Sequence, residues 1–222
     1  YDYYQQCIAL AESDGDGMTV TLCLINLGND AQMQQNYTAA LEYLAKALKG
    51  ARDLQSQRYT AHALSILALV TQKQGDLTGA LNFISQAILI DREINDRFGL
   101  AHDLVTCGRI QLDLHRLIEA DRSLREGLQL SQAIGGAPSV LYALLGFARF
   151  MLYNGQAEQA AELCGLVSTH PALTPEMQQE DLAKLLAELA EALPQTNLMN
   201  AQTRGKHLDL DAKITLLLEQ AT

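Results

Sequence analysis

One interval, 40 residues, runs through the chain. Ala40, Ala80, Ala120 and Ala160 stand in register, as do Leu24, Leu64, Leu104 and Leu144. Gly28, Ala68, Gly108 and Ala148 form a second small-residue column, and Leu44, Ile84, Leu124 and Cys164 an apolar one. Four copies align without insertion or deletion. Such a period identifies a unit that cannot bury its own apolar face and must stack on its neighbours. Within each copy the apolar residues recur at helical spacing, as in Leu41, Leu44 and Leu48 or Leu81, Ile84 and Ile88, so helices are expected and strands are not.

Each copy breaks once near its middle, at Gln35-Asn36, Gly75-Asp76, His115-Arg116 and Gly155-Gln156. Glycine supplies the left-handed conformation that ends many helices. The spacing therefore predicts helix hairpins over 17–34 with 37–54, 57–74 with 77–94, 97–114 with 117–134, and about 138–153 with 157–169. Tyr4, Cys7 and Ile8 share the phase of Leu44, Ala47 and Leu48, so residues 1–16 are expected to form the second helix of a repeat whose first half is missing. Ser13-Asp14-Gly15-Asp16-Gly17 resembles half of a calcium loop, but position 23 holds Cys23 where such a loop needs a glutamate, and the connector reading is preferred.

After His170-Pro171 the phase is lost. An amphipathic helix is predicted from near Pro175 to Pro194 within segment 171–194, its leucines covering the last hairpin and Glu180, Asp181, Glu188 and Glu191 facing water. Segment 195–222 is expected to be a tail with a short final helix, capped by Asp209 or Asp211. The fold class expected from these features is all-α: a right-handed α-solenoid of antiparallel hairpins, with about four repeats over 17–170, a leading half-repeat and C-terminal capping helices.

Leu27-Gly28, Asn36-Tyr37, Ala40, Leu44 and Ala47, repeated as Leu67-Ala68, Gly75-Asp76-Leu77, Ala80, Ile84 and Ala87, resemble the tetratricopeptide repeat (TPR). The period exceeds the usual ~34 residues and no proline closes each repeat, as in the long-helix subtype of large bacterial regulators. Arg204-Gly205-Lys206, Leu208, Leu210-Asp211 and the closing leucines resemble the tail of bacterial signalling ATPases of the LuxR or maltose-activator type. The resemblance implies a protein-interaction or scaffold module, the C-terminal sensor region of a larger bacterial signalling or transcription-regulating protein. Two other readings stay open: a sensor of a small anionic or sugar effector, and a structural self-associating module that forms a homodimer.

The formal charge of −10 disfavours a nucleic-acid backbone as partner. Cys7, Cys23, Cys107 and Cys164 form no C-x-x-C pair and fall at packing positions, which favours buried free thiols and a reducing cytoplasm. No signal peptide or membrane span is expected. The chain has no phosphate-binding glycine loop and no H-E-x-x-H, and its histidines are never within four residues of one another, so no enzyme activity, metal or cofactor is expected.

Family resemblance places the working face on the first helix of each hairpin. Carried over by phase, it selects Asn29, His62, Lys73, His102, Arg109, Tyr142, Arg149 and Tyr153. The arginines offer forked donors to carboxylates and the tyrosines flat amphipathic area, so an acidic peptide or an anionic small ligand is the expected occupant.

Overall fold

The computed structural model describes residues 2–219, which fall into two compact units, one ending at Asp103 and the other beginning at Leu104. Residues 1 and 220–222, the outer ends of the first and last expected segments, lie outside the described residues. Every regular element among the described residues is helical.

The first unit holds α1 (Asp2–Ser13), α2 (Gly17–Met33), α3 (Tyr37–Asp53), α4 (Gln57–Lys73), α5 (Leu77–Ile94) and the opening of α6 (Arg97–Asp113). The junctions recur every 20 residues. Gly15, Gln35, Gln55, Gly75, Asn95, His115, Gly135 and Gly155 each take a positive φ. At most of them the next amide reaches back five residues, as in Asn36 N to Ala31 O at 2.8 Å, Asp76 N to Thr71 O at 3.1 Å and Asp96 N to Asp91 O at 2.9 Å. This closes the orphan carbonyls of the finished helix. The same residue often starts the next helix: Asp16, Asn36, Ser56, Asp76 and Asp96 accept from the amide three positions on. One tripeptide thus stops one helix and starts another, holding helix length at 17 or 18 residues from α2 to α8.

Ile25, Leu44, Ala63, Leu67 and Val70 build the core of the first unit. The small column works as a close-approach site: a Cβ on Gly28 would lie 2.6 Å from Leu44 Cγ, and one on Gly108 would lie 2.7 Å from Leu124 Cγ.

The second unit holds the rest of α6 with α7 (Leu117–Ile134), α8 (Ala137–Tyr153), α9 (Ala157–Ser168), a π-helical stretch (Met177–Leu182) continuing into α10 (Ala183–Ala192), α11 (Gln195–Gly205) and α12 (Leu210–Glu219). Phe147, Leu124, Leu141, Leu144 and Leu163 centre its core, joined by Leu185, Leu189, Leu198, Ile214 and Leu217 from the closing helices. The π stretch and α10 pack on α8 and α9, and α11 crosses α9. That crossing needs glycine on both sides. A Cβ on Gly165 would sit 2.2 Å from Gln202 O, and one on Gly205 would sit 2.0 Å from Glu162 O.

The expectation that Asp181 faces water is corrected, while Glu188 stays partly exposed beside a guanidinium. Asp181 accepts a hydrogen bond from Arg109, and Glu188 lies 3.8 Å from Arg149. Packing of the π stretch and α10 on α8 and α9 brings Asp181 and Glu188 against these guanidiniums. Asp209 caps the final helix, accepting from Ala212 N at 2.8 Å. Arg125 ties α12 to α7 by donating to Leu217 O.

Candidate functional site

The residues expected on the working face divide between the units. Asn29, His62 and His102 line one cavity of about 400 Å³ in the first unit. Lys73, in the last turn of α4, is exposed and lies outside that lining. Arg109, Tyr142, Arg149 and Tyr153 gather in the second unit.

In the second unit the arginines already have partners. Arg109 stacks over Tyr142 at 4.7 Å from the ring centroid and donates to Asp181. Burial pulls its pKa down, but Tyr142 and Asp181 outweigh that and hold it above the ordinary value. Arg149 lies 3.1 Å from Asp113, donates to Tyr153 Oη at 3.0 Å, and stacks over that ring at 5.3 Å. Carboxylates of this chain thus lie against both arginines where an acidic ligand was expected.

The first-unit cavity has different chemistry. Ala61, Ile66, Leu69 and Phe98 give it apolar walls, and Phe98 keeps 63% of its surface exposed. Its ionisable lining consists of Arg58, His62, Asp91, Asp96, His102 and Asp103. Three carboxyl groups in this lining stand against one guanidinium. Asp96 is 3.5 Å from Arg58. Asp103 accepts from Ser65 Oγ at 2.6 Å and lies 3.3 Å from His102 Nδ1.

Asp91 is the exception. It is 3% exposed, it lines the cavity, and among the described residues its carboxyl forms no hydrogen bond. Gly99 leaves room for it, since a Cβ there would meet Asp91 Oδ2 at 2.7 Å. Burial pushes the Asp91 carboxyl up to about 7; Asp103 and Asp96 add to the push, while His102 and Arg58 oppose it. Burial also lowers the pKa of His62, against Asp103, with His102 lowering it further and Asp96 raising it.

Repeat phase points to the histidines and not to the carboxylates, yet the repeat carries a signal for them. Asp91 stands in the column Ala11, Ala51, Asp91, Ser131, and Asp103 in the column Cys23, Ala63, Asp103, Ala143. Every one of these positions is buried. A carboxylate where sister repeats bury a small residue costs solvation and asks for a reason.

Cys23, Cys107 and Cys164 are buried free thiols and Cys7 is half-buried. Burial pushes Cys164 up to about 12 and, with the Cys7 thiol adding to it, Cys23 up to about 11, which keeps both protonated. Among the described residues no group of His, Cys, Asp and Glu is placed to hold a metal ion, and no helix is long and apolar enough to cross a membrane.

Comparison with known proteins agrees with this architecture. BtubC (BKLC) from P. vanneervenii matches with a TM-score of 0.67 at 16% identity, over 99% of this chain and 89% of that one. The TPR-like repeats of a Podosopora anserina putative kinesin light chain match with a TM-score of 0.57 at 19% identity, over 89% of this chain and 96% of that one. No curated protein matches the sequence. A tetratricopeptide repeat family model matches residues 20–54, across α2 and α3, and the structural matches show the same helical-repeat fold along the chain.

Proposed function

We propose that the chain is a protein-interaction module that takes a side chain of a partner segment into the first-unit cavity. TPR-like repeats generally serve as protein-interaction scaffolds. The observation that carries the finer reading is the cavity itself, where phase-selected Asn29, His62 and His102 meet a carboxyl with no donor from the protein and an exposed aromatic ring. Apolar walls with a few fixed polar groups are what side-chain recognition requires.

A setting in a larger bacterial signalling or transcription-regulating protein rests on the resemblance of the tail from Arg204 onward. In this structure Arg204 also has a local task, lying 2.8 Å from Glu162 and 3.4 Å from Glu158.

The test is selection from a random peptide library against the intact chain, repeated with Leu69→Trp, which places a bulky ring in the cavity. The reading expects peptides that bind wild type and lose affinity for the folded variant. Peptides indifferent to Leu69→Trp, or none at all, would refute it. Sedimentation of the unliganded chain separates this reading from a purely self-associating module.

A further inference from the structure

The cavity's lining also specifies the charge of its occupant. We infer that the first-unit cavity accepts a cationic side chain, lysine or arginine, from a partner protein, with Asp91 as its principal acceptor; this rests on the recognition reading above.

Three observations converge on a cation. The first is the excess of carboxylates over guanidinium in the lining, which makes an anionic occupant unfavourable. The second is that Asp91 alone among these carboxylates has neither donor nor ion pair, while Asp96 faces Arg58 and Asp103 faces Ser65 and His102. A cavity-facing carboxyl that no protein group already holds is free to accept a charge-assisted hydrogen bond from an incoming N–H group. The third is the shape of the walls. Lysine and arginine carry long aliphatic stems beneath their charge. Ile66, Leu69 and Ala61 offer such a stem apolar cover, and the face of Phe98 suits a cation.

The sequence explains how the acceptor is kept empty. Asp91 lies on α5 in a small-residue column, so the neighbouring helices close around it as they would around alanine or serine. Gly99, in the first turn of α6, leaves space beside its oxygens. The groups facing Asp91 are Arg58 and His62 from α4, Asp96 at the start of α6, and His102 and Asp103 within α6. Arg58 is held toward Asp96 and is largely exposed. A bound cation stabilises the ionised form of Asp91, so binding releases a proton and strengthens as pH rises through about 7. The lowered pKa of His62 acts in the same direction.

The test uses the intact chain and three blocked pentapeptides of sequence Gly-Gly-X-Gly-Gly, with X as arginine, citrulline or glutamate, followed by backbone amide shifts. Citrulline keeps the shape and removes the charge. The proposal expects the arginine peptide to move the amides of Ser65, Gly99 and His102 and to bind about tenfold tighter than the citrulline peptide. Asp91→Asn is expected to lower arginine-peptide affinity by a similar factor. Asp96→Asn, which keeps an amide oxygen to cap α6, serves as a second charge-removing variant and should weaken binding less.

Equal binding of arginine and citrulline peptides, or arginine-peptide affinity unchanged in folded Asp91→Asn, would overturn the cationic assignment and leave the recognition reading standing. Shifts produced by the glutamate peptide alone would do the same. If none of the peptides moved these amides while library-selected peptides did, the cationic assignment would fail; if neither did, both readings would fail.

Discussion

The crossing of α9 and α11 sets a quantitative demand on two glycines. In Gly165→Ala the new methyl would stand 2.2 Å from Gln202 O and 2.9 Å from the adjoining carbonyl carbon. Ordinary contact begins near 3.4 Å, so the helices must part by roughly 1 Å. The obstacle is backbone, so no side chain can rotate aside. Parting the helices would loosen Leu198 and Ala201 of α11, both buried in the second-unit core. Overpacking of this kind costs about 1–3 kcal/mol, with the upper end expected where backbone must move. Alanine recovers about 1 kcal/mol in the interior of α9 through helix propensity. The net expectation is a loss of about 2 kcal/mol for Gly165→Ala, and slightly more for Gly205→Ala, where the methyl would meet Glu162 O at 2.0 Å at the end of α11. Gly17→Ala is the control: it meets only Leu54 Cδ2 at an ordinary 3.6 Å and should be neutral or mildly stabilising. Urea denaturation followed by circular dichroism measures all three. A Gly165→Ala chain as stable as wild type would refute the close crossing.

Asp91 gives the chain a pH dependence. Its folded carboxyl sits at about 7 against an ordinary 3.8, so its contribution to stability is complete below 3.8, falls as pH rises, and is lost above about 7. Asp91→Asn should flatten that part of the stability profile and overtake wild type toward neutral pH; parallel profiles would contradict the assignment. Asp181→Ala strands the Arg109 guanidinium in its half-buried site and should cost about 3 kcal/mol, read as a lower urea midpoint. Gln55→Gly relieves a left-handed residue with φ of 53° and should gain about 1 kcal/mol, whereas a loss would indicate that the Gln55 side chain contributes more than its backbone costs.

The all-helical class was legible because the period of 40 and the spacing of Leu41, Leu44 and Leu48 report burial, and burial dominates helix packing. A finer regularity was harder to see. Left-handed residues recur every 20 positions, but Gln35, Gln55 and His115 occupy three of the eight, and only glycine or asparagine advertises that conformation in a sequence. Repeat phase led to Asn29, His62 and His102, which the structure gathers around one cavity, and also to Arg109 and Arg149, whose environment it could not supply. Their partners Asp181 and Glu188 come from beyond the repeats, where phase carries no information. Helical periodicity assigned those two carboxylates to the polar side of segment 171–194, and that side faces guanidiniums as well as water. Asp91 and Asp103 were readable as misfits in small-residue columns, a signal that emerges only when each column is read for polarity as well as size.

The central claim is that partner recognition takes place in the first-unit cavity. Its most direct test is a titration of the isotope-labelled intact chain with the tightest peptide selected from the library, monitored at every backbone amide. The account predicts that the largest shifts cluster at His62, Ser65, Leu69, Gly99 and His102, and that Leu69→Trp abolishes them. Shifts centred on Arg109, Arg149, Asp181 and Glu188, with those cavity amides unmoved, would contradict it.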